Sequence, residues 1–129
     1  MSTHVEDRNR RMLRARDTMD CCYAEPLDVA ALAAVAHVSP AHFSRVFKAT
    51  FGETPHRYLQ RRRIERASAM LRSSTTSVSD ISTAVGFGSF ATFTRTFGQI
   101  MGETPTAHRR RAGDGRVPTC AVKGLRRPA

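Results

Sequence analysis

The chain has 129 residues, a formal net charge of +10 and an isoelectric point near 11.1. That length allows one domain or two small ones sharing a connecting element, and the charge calls for an anionic partner, nucleic acid ahead of a membrane surface. Residues 1–25 carry five acids and five arginines with no continuous apolar core, and no apolar run approaches membrane-spanning length, so neither a signal peptide nor a membrane anchor is expected.

From Val5 to Tyr23 the apolar residues Val5, Met12, Met19 and Tyr23 recur on one side of a helix, with Arg8, Arg11 and Arg16 outside, which predicts a packing helix. Glu25, Pro26 and Leu27 break it. Asp28 then stands as N-cap to a short alanine-rich helix, Val29 to His37, and Ser39-Pro40 caps and opens a second, Pro40 to about Phe51. Two short helices joined by a tight turn, the second amphipathic and basic, form the helix-turn-helix pattern. Gly52 ends that helix, and Thr54-Pro55 starts a long one to about Ser73, whose apolar side is Tyr58, Leu59, Ile64, Ala67, Met70 and Leu71. A Ser/Thr loop follows. Ser77-Val78-Ser79-Asp80 is a capping-box sequence opening Val78 to Val85, Gly86-Phe87-Gly88 is the next turn, and Ser89 caps Phe90 to Met101. The same glycine stop and Thr-Pro restart, at Gly102 and Thr104-Pro105, lead to a last helix, Thr106 to about Ala112. Residues 113–129 have no period and are expected to be disordered without a partner.

Phe43 to Pro55, FSRVFKATFGETP, returns fifty residues later as Phe93 to Pro105, FTRTFGQIMGETP, with seven of thirteen positions identical. An internal repeat this dense organises the whole chain. The expected fold is therefore all-α, two helix-turn-helix subdomains joined by a long linker helix, about seven helices in all. Its parts are a packing helix at 1–25, the first helix-turn-helix at 26–54, the linker at 55–73, the second helix-turn-helix with the final helix at 74–112, and a basic tail at 113–129. The second turn is one residue longer than the first, since Leu32 to Phe43 is eleven positions and Ile81 to Phe93 is twelve.

Two like units on one stiff connector can present both second helices to successive major-groove turns, roughly 34 Å apart. Phe43, Val46, Phe47 and Phe51 take the inward side of the first reading helix, leaving Pro40, Ala41, Ser44, Arg45 and Lys48 for DNA. Phe93, Phe97 and Ile100 or Met101 do so in the second, leaving Phe90, Ala91, Thr94 and Arg95. Arg45 and Arg95, at the same helical position, are the candidates for bidentate contact to guanine, whereas Ala41, Phe90 and Ala91 suit thymine methyls or shape reading. Ser39, Ser89, Arg61, Arg62, Arg109, Arg110 and Arg111 are assigned to phosphate. Residues 72–105 carry no net charge and 106–129 carry +6, so His108 and the arginines after it, with the tail, are expected to supply the second unit's phosphate attraction.

From Leu27 to Arg110 the chain resembles the DNA-binding domain of the AraC/XylS family of transcription regulators. The most diagnostic stretch is Ile81 to Arg109, with Gly86-Phe87, Phe93, Arg95, Phe97, Gly102 and Thr104-Pro105. The resemblance implies double-stranded DNA as partner, RNA polymerase as a second one, and base reading by Ala41, Ser44, Arg45, Phe90, Ala91, Thr94 and Arg95. It also implies the habit of the small stand-alone members, activators that bind as monomers; the cysteine usage and the lack of a signal peptide or long apolar run separately point to the cytoplasm. Two departures stand out: His37 occupies a turn position where the family often has glycine, and Gly98 replaces the basic residue common after Phe97, which implies a second unit that holds DNA less tightly.

An enzyme is not expected. Cys120 lies in the tail without a neighbouring base, and His37, His42, His56 and His108 lack paired ligand spacing, so neither metal nor cofactor is assigned. Cys21, Cys22 and Cys120 are odd in number and argue against a secreted disulfide framework. The remaining rival is an architectural protein that coats or bends DNA without sequence preference, which the net charge would suit.

Overall fold

The structure, a computed structural model, describes residues 2–113. The tail at 114–129, with Cys120 and the disorder expected of it, lies outside them. Seven helices and no strand occur among the described residues: α1 Ser2–Cys21, α2 Val29–Ala36, α3 Pro40–Phe51, α4 Pro55–Ser73, α5 Val78–Ala84, α6 Phe90–Met101 and α7 Pro105–Gly113. None of them is long and apolar enough to cross a membrane. The chain divides into two compact units between Arg62 and Arg63, so the continuous helix α4 contributes its first half to one unit and its second half to the other.

In the first unit α1 packs on α2 and α3, around a core of Met12, Ala15, Met19, Leu32, Ala33, Ala36, Phe43, Phe47, Tyr58 and Leu59. The aromatic ladder of α3 runs inward, with Phe43 and Phe47 rings 5.6 Å apart and Phe47 and Phe51 4.7 Å apart. Tyr58 meets Phe47 edge-on at 5.8 Å and donates its hydroxyl to Asp20 at 2.7 Å, while Arg62 donates to the same carboxylate oxygen at 3.1 Å. Burial, then the Asp20 bond, pushes the Tyr58 phenol up to about 12. Val5 departs from expectation: it is 46% exposed, while Ala15, between Met12 and Met19, is fully buried on the inward face.

The second unit repeats this plan with different side chains. Ile64, Ala67 and Leu71 of α4 are buried with the same spacing as Met12, Ala15 and Met19 of α1, so the second half of α4 plays for its unit the part α1 plays for the first. Phe93 and Phe97 lie 5.8 Å apart, close to the 5.6 Å of Phe43 and Phe47, and His108 meets Phe97 edge-on at 5.6 Å where Tyr58 meets Phe47. Each unit is also tied by a Glu–Arg pair across the restart. Arg61 donates to Glu53 at 2.6 Å, and Arg111 to Glu103 at 2.6 Å.

The caps explain where the short helices begin and end. Asp28, Ser39, Ser77 and Ser89 each accept the backbone N–H of the residue three positions on, and Gly52 and Gly102 close α3 and α6 at φ 83° and 78°. At the end of α2 the left-handed position falls on His37, φ 60° and ψ 43°, the one non-glycine residue with positive φ among those described. Gly86 holds that place in the second unit, and the bond pattern is the same: His37 N to Ala34 O and Val38 N to Ala33 O, then Gly86 N to Thr83 O and Phe87 N to Ser82 O. Arg11 donates to the His37 carbonyl at 2.9 Å, tying this strained turn to α1. An L-residue in this region costs about 1–2 kcal/mol, and glycine's extra unfolded-state entropy returns about 0.5–1 of it. His37→Gly is therefore expected to raise stability by up to about 1.5 kcal/mol, read as a higher urea midpoint at unchanged slope. A lower midpoint would mean that the imidazole contributes more than the backbone loses.

Candidate nucleic-acid interface

The outward sides of α3 and α6 carry the residues singled out for DNA. Ala41, Arg45 and Lys48 are exposed and Ser44 is half-buried, while Phe43 and Phe47 face fully inward. On α6, Ala91 and Arg95 are exposed, Thr94 is half-buried and Phe90 is 49% exposed. That is a large apolar ring to leave in water at a helix start. Its ring leans on Phe93 at 6.4 Å, which fixes its direction on the surface without covering it. The Thr94 hydroxyl donates to the Ala91 carbonyl at 3.0 Å, so its proton is committed and its oxygen is left as an acceptor. Thr96, which no expectation placed inside, is buried on the other side of this helix.

The serines assigned to phosphate are the two N-caps. Ser39 Oγ accepts from His42 N at 3.3 Å, and Ser89 Oγ accepts from Thr92 N at 3.0 Å while donating to Thr92 Oγ1 at 2.9 Å. Both sit at the positive ends of twelve-residue helices, where free N–H groups favour an anion.

The basic residues divide. Arg110 is exposed, whereas Arg61 and Arg62 are half-buried and held by Glu53 and Asp20. Arg109 donates to the carbonyls of Leu71 and Ser74, both at 3.1 Å, and so closes the C-terminal end of α4. Arg111 is bonded to Glu103. His108, expected with this basic group, is instead only 5% exposed and sits inside a directed chain of hydrogen bonds. Nδ1–H donates to the Glu103 carboxylate at 2.7 Å, which leaves Nε2 to accept from the Ser68 hydroxyl at 2.9 Å; Ser68 in turn accepts from Arg72 at 2.6 Å. A proton on Nε2 would face the Arg72 guanidinium at 3.4 Å and an oxygen already receiving that group's N–H. The imidazole is consequently structural. Nothing in the spacing of the sequence separates this histidine from the arginines that follow it; only its equivalence to Tyr58 across the repeat could have done so.

Burial holds the His108 pKa below its ordinary 6.5, and the Arg72 and Arg111 charges act the same way against the pull of Glu103. Glu103 is itself held low, chiefly by the Arg111 bond. Above pH 6.5 neither state binds this proton and the full stability is present; below it the unfolded chain takes the proton first, so stability falls with pH. Glu103 adds loss in the same direction below its ordinary 4.5. The urea midpoint of the second unit is expected to drop as pH is lowered through the 6.5 region; a flat midpoint would show that His108 titrates as in the unfolded chain.

The model of the helix-turn-helix domain matches residues 32–111. The MmsAB operon regulatory protein of Pseudomonas aeruginosa is 37% identical over 89 residues, which are 69% of this chain and 29% of that protein. The chain spans about a third of the length of the curated relatives it matches. Among solved structures, an AraC-type DNA-binding domain-containing transcriptional regulator from Chromobacterium violaceum superposes with TM-score 0.74 at 28% identity, covering 81% of this chain and 93% of that one. The DNA-binding domain of AdpA, a global transcriptional factor solved with a target DNA, superposes with TM-score 0.73 at 27% identity, covering 82% and 97%. With a family model covering more than half its length and the two-unit helix-turn-helix architecture in place, the chain belongs to the AraC-type helix-turn-helix family of DNA-binding domains.

Proposed function

We propose that this chain is a sequence-specific DNA-binding transcriptional regulator that lays α3 and α6 in successive major-groove turns of double-stranded DNA, acting in the cytoplasm as a monomer on its site. The observation that carries this reading is the recurrence of an exposed arginine, Arg45 and Arg95, on the same turn of two identically capped helices. Ala41, Ser44, Arg45 and Lys48 read one box; Phe90, Ala91, Thr94 and Arg95 read the other, with Phe90 and Ala91 against thymine methyls. Ser39, Ser89 and Arg110 grip phosphate, and Arg61, Arg62, Arg109 and Arg111 do so from within their own ion pairs and helix-closing bonds. Activation through RNA polymerase rests on the family resemblance alone, and a promoter-reporter assay decides it.

Selection of bound duplexes from a randomised pool, followed by titration of the selected sequence against scrambled DNA at two salt concentrations, tests the proposal. An asymmetric site with two unlike boxes about one helical turn apart is expected. If no consensus emerges and affinity follows salt alone, the protein is an architectural DNA binder.

Gly98 offers a gain-of-function test. It stands where Lys48 stands in the first unit, and a Cβ built there meets nothing within 4 Å. Gly98→Lys is expected to raise affinity for DNA and to steepen the salt dependence by about one counterion, while removing a helical glycine worth about 0.5–1 kcal/mol. Unchanged affinity and slope would place this turn of α6 away from the phosphates.

A further inference from the structure

Cys21 closes α1 and Cys22 follows it in the first turn beyond the helix. Their sulfurs face each other in hydrogen-bonding contact, neither is in a disulfide, and Cys21 is exposed with Cys22 half-buried, so a small ligand can reach both. The pair is held from both sides. Cys22 N–H bonds to the Thr18 carbonyl at 2.9 Å and Glu25 N–H to the Cys22 carbonyl at 3.0 Å, while the preceding residue, Asp20, is anchored by Tyr58 and Arg62. Two donors already converged give a chelate that forms with little ordering cost.

A direct disulfide suits this place poorly. Neighbouring Cα atoms are about 3.8 Å apart across a trans peptide, below the roughly 4.4–6.8 Å that disulfides span. A ligand atom inserted between the sulfurs lengthens the bridge and relieves that constraint. Soft thiol donors select soft, thiophilic centres. The hydrogen bond shared with Cys21 pushes the Cys22 thiol up to about 11, so Cys22 keeps its proton until a ligand displaces it.

We propose that Cys21 and Cys22 form a vicinal dithiol site for a soft, thiophilic ligand of the trivalent arsenical class, chelated by both sulfurs at once. With an organoarsenic(III) oxide the step balances without an oxidant: two S–H bonds and the arsenic–oxygen bonds break, two As–S bonds form, and the oxygen leaves as water with both thiol protons. Neither sulfur nor arsenic changes oxidation state.

The test uses the full chain carrying Cys120→Ser, so that the third thiol cannot serve. This protein is treated with phenylarsine oxide, washed with excess monothiol and weighed intact by mass spectrometry. One phenylarsenic group gained for two hydrogens lost, surviving the wash, is expected. The further variants C21S and C22S in the same background, checked for unchanged helicity by circular dichroism, are expected to lose the label on washing. Loss of label from the parent, or its retention by either variant, overturns the proposal, because a monodentate adduct exchanges with monothiol and a chelate resists it.

Discussion

Phe97→Ala is expected to destabilise the second unit by about 3–5 kcal/mol, the range for emptying a buried aromatic site. Phe97 has no exposure, and its ring is closed between Phe93 at 5.8 Å and His108 at 5.6 Å. The surrounding side chains come from helices held by capped ends and by the Glu103–Arg111 pair, which limits how far they can collapse into the void. For a unit of this size, at about 0.05–0.15 kcal/mol per residue, the loss approaches the whole of its stability. The sequence supplies a selective probe. Its two tyrosines, Tyr23 and Tyr58, both lie in the first unit, and it has no tryptophan. Tyrosine emission therefore reports the first unit alone and far-ultraviolet circular dichroism reports both. Phe97→Ala is expected to split the urea transition, with helicity lost early and the tyrosine signal kept; Phe47→Ala, the equivalent change in the first unit, is expected to move the tyrosine transition itself. If Phe97→Ala shifts both signals together, the two units unfold as one cooperative body through α4.

Much of this architecture was written in residue types that admit one structural use. Ser39-Pro40 and the Ser77 capping box start helices, Gly52 and Gly102 stop them, and Phe43/Phe47 and Phe93/Phe97 mark the inward side of each reading helix. These signals are local, so they survive being read without partners. The deeper repeat was not legible, because the residues that carry it share size and burial while differing in chemistry. Met12, Ala15 and Met19 answer Ile64, Ala67 and Leu71, and Tyr58 answers His108, with only alanine in common. A polar residue at an aromatic position reads as surface until its partners are seen, and His108 has its partners, Ser68 and Glu103, in α4 and in the turn before α7. Arginine is ambiguous for the same reason. Arg61 and Arg111 look like an anion-binding repeat along the chain, yet each is bonded to the glutamate eight residues before it. The left-handed turn at His37 could be located by analogy with Gly86, but its strain becomes visible only as a backbone angle.

The largest effects on DNA are expected at Arg45 and Arg95. Both side chains are exposed, and each projects from a helix whose opposite side is anchored by two buried phenylalanines. A bidentate arginine–guanine contact discriminates by about 1–3 kcal/mol, so alanine at either position should cost about five- to one-hundred-fifty-fold in affinity for the selected site. The informative quantity is where the loss falls. Arg45→Ala should abolish preference at one base pair of the first box and leave the second box untouched, and Arg95→Ala should do the reverse. Affinity for scrambled DNA should change far less, since it depends on the charge of the whole surface. The two losses should add in the double variant, because the arginines sit in different units and share no partner. The Arg95 loss should also be the smaller in absolute affinity, as residues 72–105 carry no net charge and Phe90 and Ala91 give that helix little hydrogen bonding with which to hold its box. Equal, uniform losses on specific and scrambled duplexes would assign both arginines to phosphate, and the reading of α3 and α6 as base-recognition helices would fall with them.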